Sequence, residues 1–317
     1  VKQAILAVAA VVAIVSGVIF AISRTADVSP LDPPAAKQTD EQQAQQWEDD
    51  ASAAFGGAEL VQAVMDMVKG AREWQDGTRP AEQFRAELDH RRTQFAEMAD
   101  RLAALRPYPF DPRVIGLYRD TAALYQQTVA VYHALVDEPA PDRRAQLDLL
   151  ARRLRILGDR VFDRGRELIK PKLKDAANPD IEVRLPDEVP NWVAEGLAPG
   201  PPLDDLPPPP SPEPQLRRPT RPTQSRAAWL TALRQATSAI PAAPPQARAR
   251  ALIAAAELLR ATPDPANDRE EGARIRLALL VHADGARAAQ LQLDAVARQL
   301  QVVGQHLWSG PDLPPNP

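Results

Sequence analysis

The 317-residue chain has no cysteine, four histidines, and an aromatic content of 5%. The first absence removes disulfides, cysteine-ligated metal centres and a lipid-modified amino-terminal cysteine from consideration. No Cys-x-x-Cys-His motif is present for haem attachment, and no Ser/His/Asp set, Gly-rich phosphate loop or pair of catalytic carboxylates appears in a recognisable setting. The four histidines, His90, His133, His282 and His306, are not placed for acid–base work. A net charge of −4 argues against nucleic acid as a partner of the whole chain. Enzymatic, cofactor-dependent and metal-dependent roles are therefore not expected.

The sequence does contain one long uncharged run, Ala4 to Ile22 (AILAVAAVVAIVSGVIFAI). As a helix it extends about 28 Å, close to the ~30 Å hydrocarbon core of a bilayer. Ala21-Ile22-Ser23 has the small-x-small form of a signal-peptide cleavage site, but the run exceeds the 7–15 residues usual for that type, which favours an uncleaved anchor. Lys2 ahead of the run, against Arg24 and then Lys37 behind it, orients the remainder outside the cytoplasm. The bulk of the chain is then periplasmic or extracytoplasmic on a single-pass anchor over residues 1–24. Residues 25–39, with Pro30, Pro33 and Pro34, form a stalk.

Helical periodicity begins near Asp40. Trp47, Ala51, Ala54, Ala58, Val61, Met65, Val68 and Arg72 step by three or four, with a bend expected at Gly56-Gly57. A second helix starts at Pro80 with Phe84, Leu88, Phe95, Met98, Leu102 and Leu105 inward. A third runs from about Pro112 to Asp137 with Ile115, Tyr118, Ala122, Tyr125, Val129, Tyr132 and Val136 inward, Asp111 serving as its cap. A fourth continues from Pro141 to about Lys170. Short Pro-marked turns between them predict an antiparallel four-helix bundle over 40–175. Asp40–Asp76 carries nine acidic and two basic residues, and Pro141–Asp175 eleven basic and six acidic. Neighbouring first and last helices of opposite charge fit that topology, as a device for pairing more than for stability.

Residues 176–225 contain fourteen prolines and form a Pro-rich linker. Beyond it a small C-terminal three-helix domain is expected over 226–309, with helices at 226–239, 245–261 and 269–308. Gly285 is a candidate break in the last of these, Asp268 to Glu271 has capping-box spacing, and 310–317 reads as a disordered tail. The fold class is thus all-α: a single transmembrane helix, the bundle, the linker and the small domain.

Few residues stand out as interaction candidates. Tyr118, Tyr125 and Tyr132 lie seven apart on one helix face, an arrangement able to bind a glycan or peptide but more often used to pack rings at a core edge. Arg91 falls on the inward seam and needs a carboxylate partner. Glu87 and His90 have the Glu-x-x-His spacing of di-iron bundles, but the second such motif is missing, so metal is not expected. From Pro214 to Ala256 the chain has seven arginines and no acid; Arg217, Arg218, Arg221 and Arg226 are candidates to meet an acidic partner. The order of parts suggests a membrane-anchored scaffold or accessory subunit that bridges envelope or membrane proteins. A ligand-sensing ectodomain acting through a membrane partner is the alternative.

Overall fold

A computed structural model describes residues 39–169, 223–265, 269–310 and 312–317. Within them the chain forms nine helices: α1 (Asp40–Phe55), α2 (Ala58–Gln75), α3 (Ala81–Ala104), α4 (Arg113–Asp137), α5 (Pro141–Ile169), α6 (Arg226–Thr237), α7 (Pro245–Ala261), α8 (Arg269–Gln290) and α9 (Asp294–Leu307). A two-residue parallel pairing joins β1 (Thr223–Gln224) to β2 (Asp264–Pro265). No helix among the described residues is long and apolar enough to cross a membrane. The anchor expected at Ala4–Ile22, the stalk, most of the linker and the Asp268 cap lie outside the described residues.

Local chemistry sets the helix ends. Thr39 opens α1 through a capping box, its hydroxyl accepting from the Gln42 N–H at 3.2 Å while the Gln42 carbonyl oxygen accepts from the Thr39 N–H at 2.9 Å. Gly56 (φ 80°) and Gly57 (φ 55°) then end it in backbone conformations that other residues rarely adopt. Asp111 Oδ1 accepts from the Arg113 N–H at 3.0 Å, so it does serve the first turn of α4.

The glycine pair does more than bend the chain. The expected inner face, extended through it to Met65, is rotated in α2: Leu60, Ala63, Val64, Met67 and Ala71 are buried, whereas Met65 is 62% exposed. Two positive-φ residues interrupt the 3.6-residue period, and it restarts with a new phase. A Met65→Lys substitution is accordingly expected to change stability by no more than about 0.5 kcal/mol in a denaturant titration; a core position at 65 would lose several times that.

The first five helices pack as a bundle. Phe55 meets Phe162 (ring centroids 5.0 Å apart), and Gln75 Nε2 donates to Asp148 Oδ1 at 2.8 Å, so α1–α2 run antiparallel to α5. The opposite charges of these segments meet where Glu48 of α1 lies near Arg166 of α5, and other charges pair elsewhere. Asp66 pairs with Arg91 of α3 and Glu73 with Arg79 of the turn before it, while Arg152, Arg155 and Arg164 pair with Asp148, Asp159 and Glu167 inside α5. Helical i,i+3 and i,i+4 geometry brings the three α5 pairs together at less conformational cost than a cross-helix reach.

The C-terminal part has four helices rather than three. The break falls at Leu291-Gln292-Leu293, not at Gly285. Gln292 (φ 60°) takes the left-handed position, its N–H bonding Ala289 O at 3.0 Å while the Leu293 N–H bonds Ala288 O at 2.8 Å, the two bonds of a Schellman stop. Gly285 instead lies within α8 where it meets α9, with Leu300 Cβ 3.4 Å from a Cβ built there. α8 is the central element: it packs against α7 and α9 and also against α5 of the bundle, while α9 lies on α4. Residues 271–285 of α8 are buried at every position except Arg276, as befits a helix enclosed on several sides.

Candidate functional site

The tyrosine stripe is a packing seam. Tyr118, Tyr125 and Tyr132 are all buried between α4 and α5. Opposite them, α5 presents small residues at the same heptad spacing, Ala151, Gly158 and Gly165, each buried. A Cβ on Gly165 would stand 2.4 Å from Tyr118 Cε1, and one on Gly158 2.8 Å from Tyr125 Cε1. The rings therefore occupy space that only glycine leaves. Tyr118 is further enclosed by Trp47, Phe55 and Phe162, with centroid separations of 5.8, 4.8 and 5.4 Å. Although the chain is poor in aromatics, it concentrates them here. The Tyr125 hydroxyl donates to Asp159 Oδ1 at 2.5 Å, and burial, followed by the Asp159 charge, pushes the phenol well up. Burial likewise raises the Asp159 carboxyl, and burial together with neighbouring Asp159 raises Asp163 to about 6.

Arg91 finds its carboxylate: Nη2 lies 2.8 Å from Asp66 Oδ2 and 3.7 Å from Glu87 Oε1, with Nη1 on Gln94. His90 is exposed on the outer flank of α3. Arg226 forms a two-pronged pair with buried Glu271, at 2.7 and 3.1 Å, and so closes the start of α6 onto α8. Arg217, Arg218 and Arg221 lie outside the described residues. The tyrosines are thus buried in the core, and Arg226 is engaged in an internal pair.

The most unusual polar chemistry lies where the C-terminal helices meet the bundle, at residues the sequence did not single out. Arg153 of α5 and Asp284 of α8 are both fully buried, with Nε donating to Oδ1 at 2.6 Å. Arg287 donates to the same oxygen at 3.0 Å. Arg153 Nη1 and Nη2 and Asp284 Oδ2 reach no hydrogen-bond partner among the described residues. Burial pushes the Arg153 guanidinium down, opposed by Asp284. Nearby, Arg143 Nη2 donates to Leu291 O at 2.8 Å.

A second contact joins α4 to α9. Asp120 is 4% exposed, and its Oδ1 lies 3.0 Å from His306 Nδ1. Burial raises Asp120 to about 6 despite the histidine, whereas the hydrogen bond to Asp120 is the main cause raising His306. Both folded values are raised, so the stability these groups contribute is fully present below the unfolded carboxyl value of about 4. It falls as pH rises through about 6 and then through the histidine. His306→Gln is expected to cost about 1 kcal/mol near pH 6.5, where the histidine offsets part of the cost of ionising buried Asp120, and less at pH 4.5, where Asp120 is protonated and that cost is absent. Urea titrations at the two pH values measure the difference; equal losses at both would contradict it.

The third feature is a cleft of about 330 Å³ lined by Arg248, Leu252, His282, Gly285, Arg298 and Gln301, with Pro317 at its edge. His282 is buried against Gly304, and burial lowers its imidazole to about 4, partly offset by the Asn316 side chain, which favours the protonated ring as an acceptor. The described residues after α9 lie against the body. Leu313 packs on the core, and the Trp308 indole donates to Pro314 O at 2.9 Å.

No protein-family model, curated protein or solved structure matches this chain. The functional reading rests on its own geometry.

Proposed function

We propose that the chain is a membrane-anchored, non-enzymatic scaffold or accessory subunit of the cell envelope. In this reading Ala4–Ile22 holds it in the bilayer as a single-pass protein with its bulk extracytoplasmic. An antiparallel four-helix bundle follows, and the Pro-rich stretch binds envelope or membrane proteins. The carrying observation is that both ends of that stretch belong to one helical body. Ile169, ending α5, is buried in the bundle core, and Thr223–Gln224 pairs with Asp264–Pro265 beside α8. The C-terminal helices in turn rest on α4 and α5. A proline-rich segment, acidic in its first part and arginine-rich in its second, tethered at both ends to one support is a way to present a binding strand at reduced entropic cost. The inward polar side chains Arg91, Arg153 and Arg226 are engaged in internal pairs, in keeping with a supporting role.

Deleting Pro199 to Pro222 tests the reading. The helical body is expected to keep its melting temperature while stoichiometric companions, recovered by gentle detergent extraction through a tag, are lost. Unchanged recovery of those companions would contradict it. A ligand-binding ectodomain is the second reading, favoured by the cleft between α7, α8 and α9, and a small molecule that raises the melting temperature through that cleft would support it.

A further inference from the structure

After α9 the chain folds back over its own last turn. Arg274, buried in α8, holds the departure point by donating to Leu307 O and to Ser309 Oγ. Leu313 then enters the core edge, the Trp308 indole N–H bonds the carbonyl of Pro314, and Pro317 lines the same cleft as His282. An apolar anchor followed by an indole N–H on a proline carbonyl is how extended Pro-rich peptides are held in aromatic grooves. Such a peptide is pre-extended at its prolines, so little freedom is lost, and proline carbonyls accept bonds without an N–H of their own to satisfy; here Asp312 (φ 64°) makes the turn that leads into Leu313 and the prolines.

The segment held there reads Asp312-Leu313-Pro314-Pro315, and the same four residues recur as Asp205-Leu206-Pro207-Pro208 in the Pro-rich stretch. The stretch rejoins the body beside the groove. Arg226, just after β1, grips Glu271, whose Oε1 would lie 3.2 Å from a Cβ on Gly310, at the start of the tail. Pro208 is fifteen residues before Thr223, a span of about 45 Å in polyproline II geometry and ample to reach Trp308.

We propose that the Trp308 groove is a docking site for Asp-Leu-Pro-Pro segments, and that Asp205–Pro208 of the same chain competes with Asp312–Pro315 for it. Occupation by the linker copy displaces the tail, so the two states present different segments of chain to a partner. The idea does not depend on the scaffold reading.

The full chain labelled with 5-fluorotryptophan gives five tryptophan ¹⁹F resonances, which Trp→Phe substitutions assign. When residues 311–317 are removed, the Trp308 resonance is expected to stay near its original position because the linker copy takes the groove. Adding Leu206→Ala should then move it to the position of a solvent-exposed indole. A synthetic peptide spanning Leu203–Pro210 should restore it, binding about tenfold more tightly than the same peptide with Leu206→Ala. Movement on truncation that is the same with or without Leu206→Ala, and that no peptide reverses, would overturn the proposal; so would a response that depends on protein concentration, which marks a second copy as the occupant. The other four resonances report folding. If truncation disturbs them, the full-length Leu313→Ala chain replaces it, with the same two outcomes expected of Leu206→Ala.

Discussion

Asp284→Ala is expected to destabilise the protein by about 3–5 kcal/mol, read as a shift of the urea midpoint, and to loosen the C-terminal helices from the bundle first. The substitution leaves the Arg153 guanidinium charged and fully buried with its main partner gone. The cost comes from stranding a charge, not from losing an especially favourable bond, because three polar atoms of the pair are unsatisfied even in the intact site. The double replacement Arg153→Met with Asp284→Leu is therefore expected to be near neutral or more stable than the parent, by up to about 4 kcal/mol. A double variant as unstable as Asp284→Ala would show that the pair itself stabilises the interface. Its position between α5 and α8 favours a role in fixing how the two parts dock, since an apolar contact slides more readily than a directed pair.

Gly165→Ala is expected to cost about 1–3 kcal/mol, and adding Gly158→Ala about as much again. Helix propensity alone argues the other way, for alanine in place of glycine inside a helix gains roughly 0.5–1 kcal/mol. The ring of Tyr118 decides the sign. It stands 2.4 Å from the added carbon, and Trp47, Phe55 and Phe162 leave it no room to withdraw. Gly116, in α4, supplies the internal control. Nothing lies within 4 Å of a Cβ built there, so Gly116→Ala should stabilise by up to about 1 kcal/mol. Thermal melts of the two single variants should move in opposite directions; a shared direction would contradict the seam.

Much of the bundle was legible because amphipathic period and proline turns record burial directly. Phe84, Leu88, Phe95, Met98 and Leu102 in α3, and Ile115 through Tyr132 in α4, face inward as their spacing requires. Periodicity fails where the backbone changes hand. Through Gly56-Gly57 it carried the wrong phase to Met65, and at Gln292 it passed a stop made by a residue with no special preference for the left-handed region. The docking of the C-terminal helices was recorded in a feature read only as core. Residues 275–285, Ile-Arg-Leu-Ala-Leu-Leu-Val-His-Ala-Asp-Gly, contain five consecutive apolar residues at 277–281, more than one stripe of a helix can bury against a single neighbour. That run signals a helix covered on two sides. Arg153 was harder to find, since it is one arginine among many on α5 and only its partner 131 residues away identifies it. The four interaction candidates between 217 and 226 divided in the same way. Arg226 is tied to Glu271, a pairing that a search for net charge does not reveal, and the other three lie outside the described residues.

The central claim is that the bundle and the C-terminal helices form one body to which both ends of the Pro-rich stretch are fixed. Cleaving that stretch tests it most directly. A site-specific protease sequence placed after Gly200 divides the chain into residues 1–200 and 201–317, and once cut the linker no longer raises the effective concentration of one piece near the other. Under native conditions the two pieces should co-elute as a single species and separate on Asp284→Ala. If the pieces of the unaltered sequence part on cleavage, the docked body is wrong, and the C-terminal helices are an independent module on a long spacer.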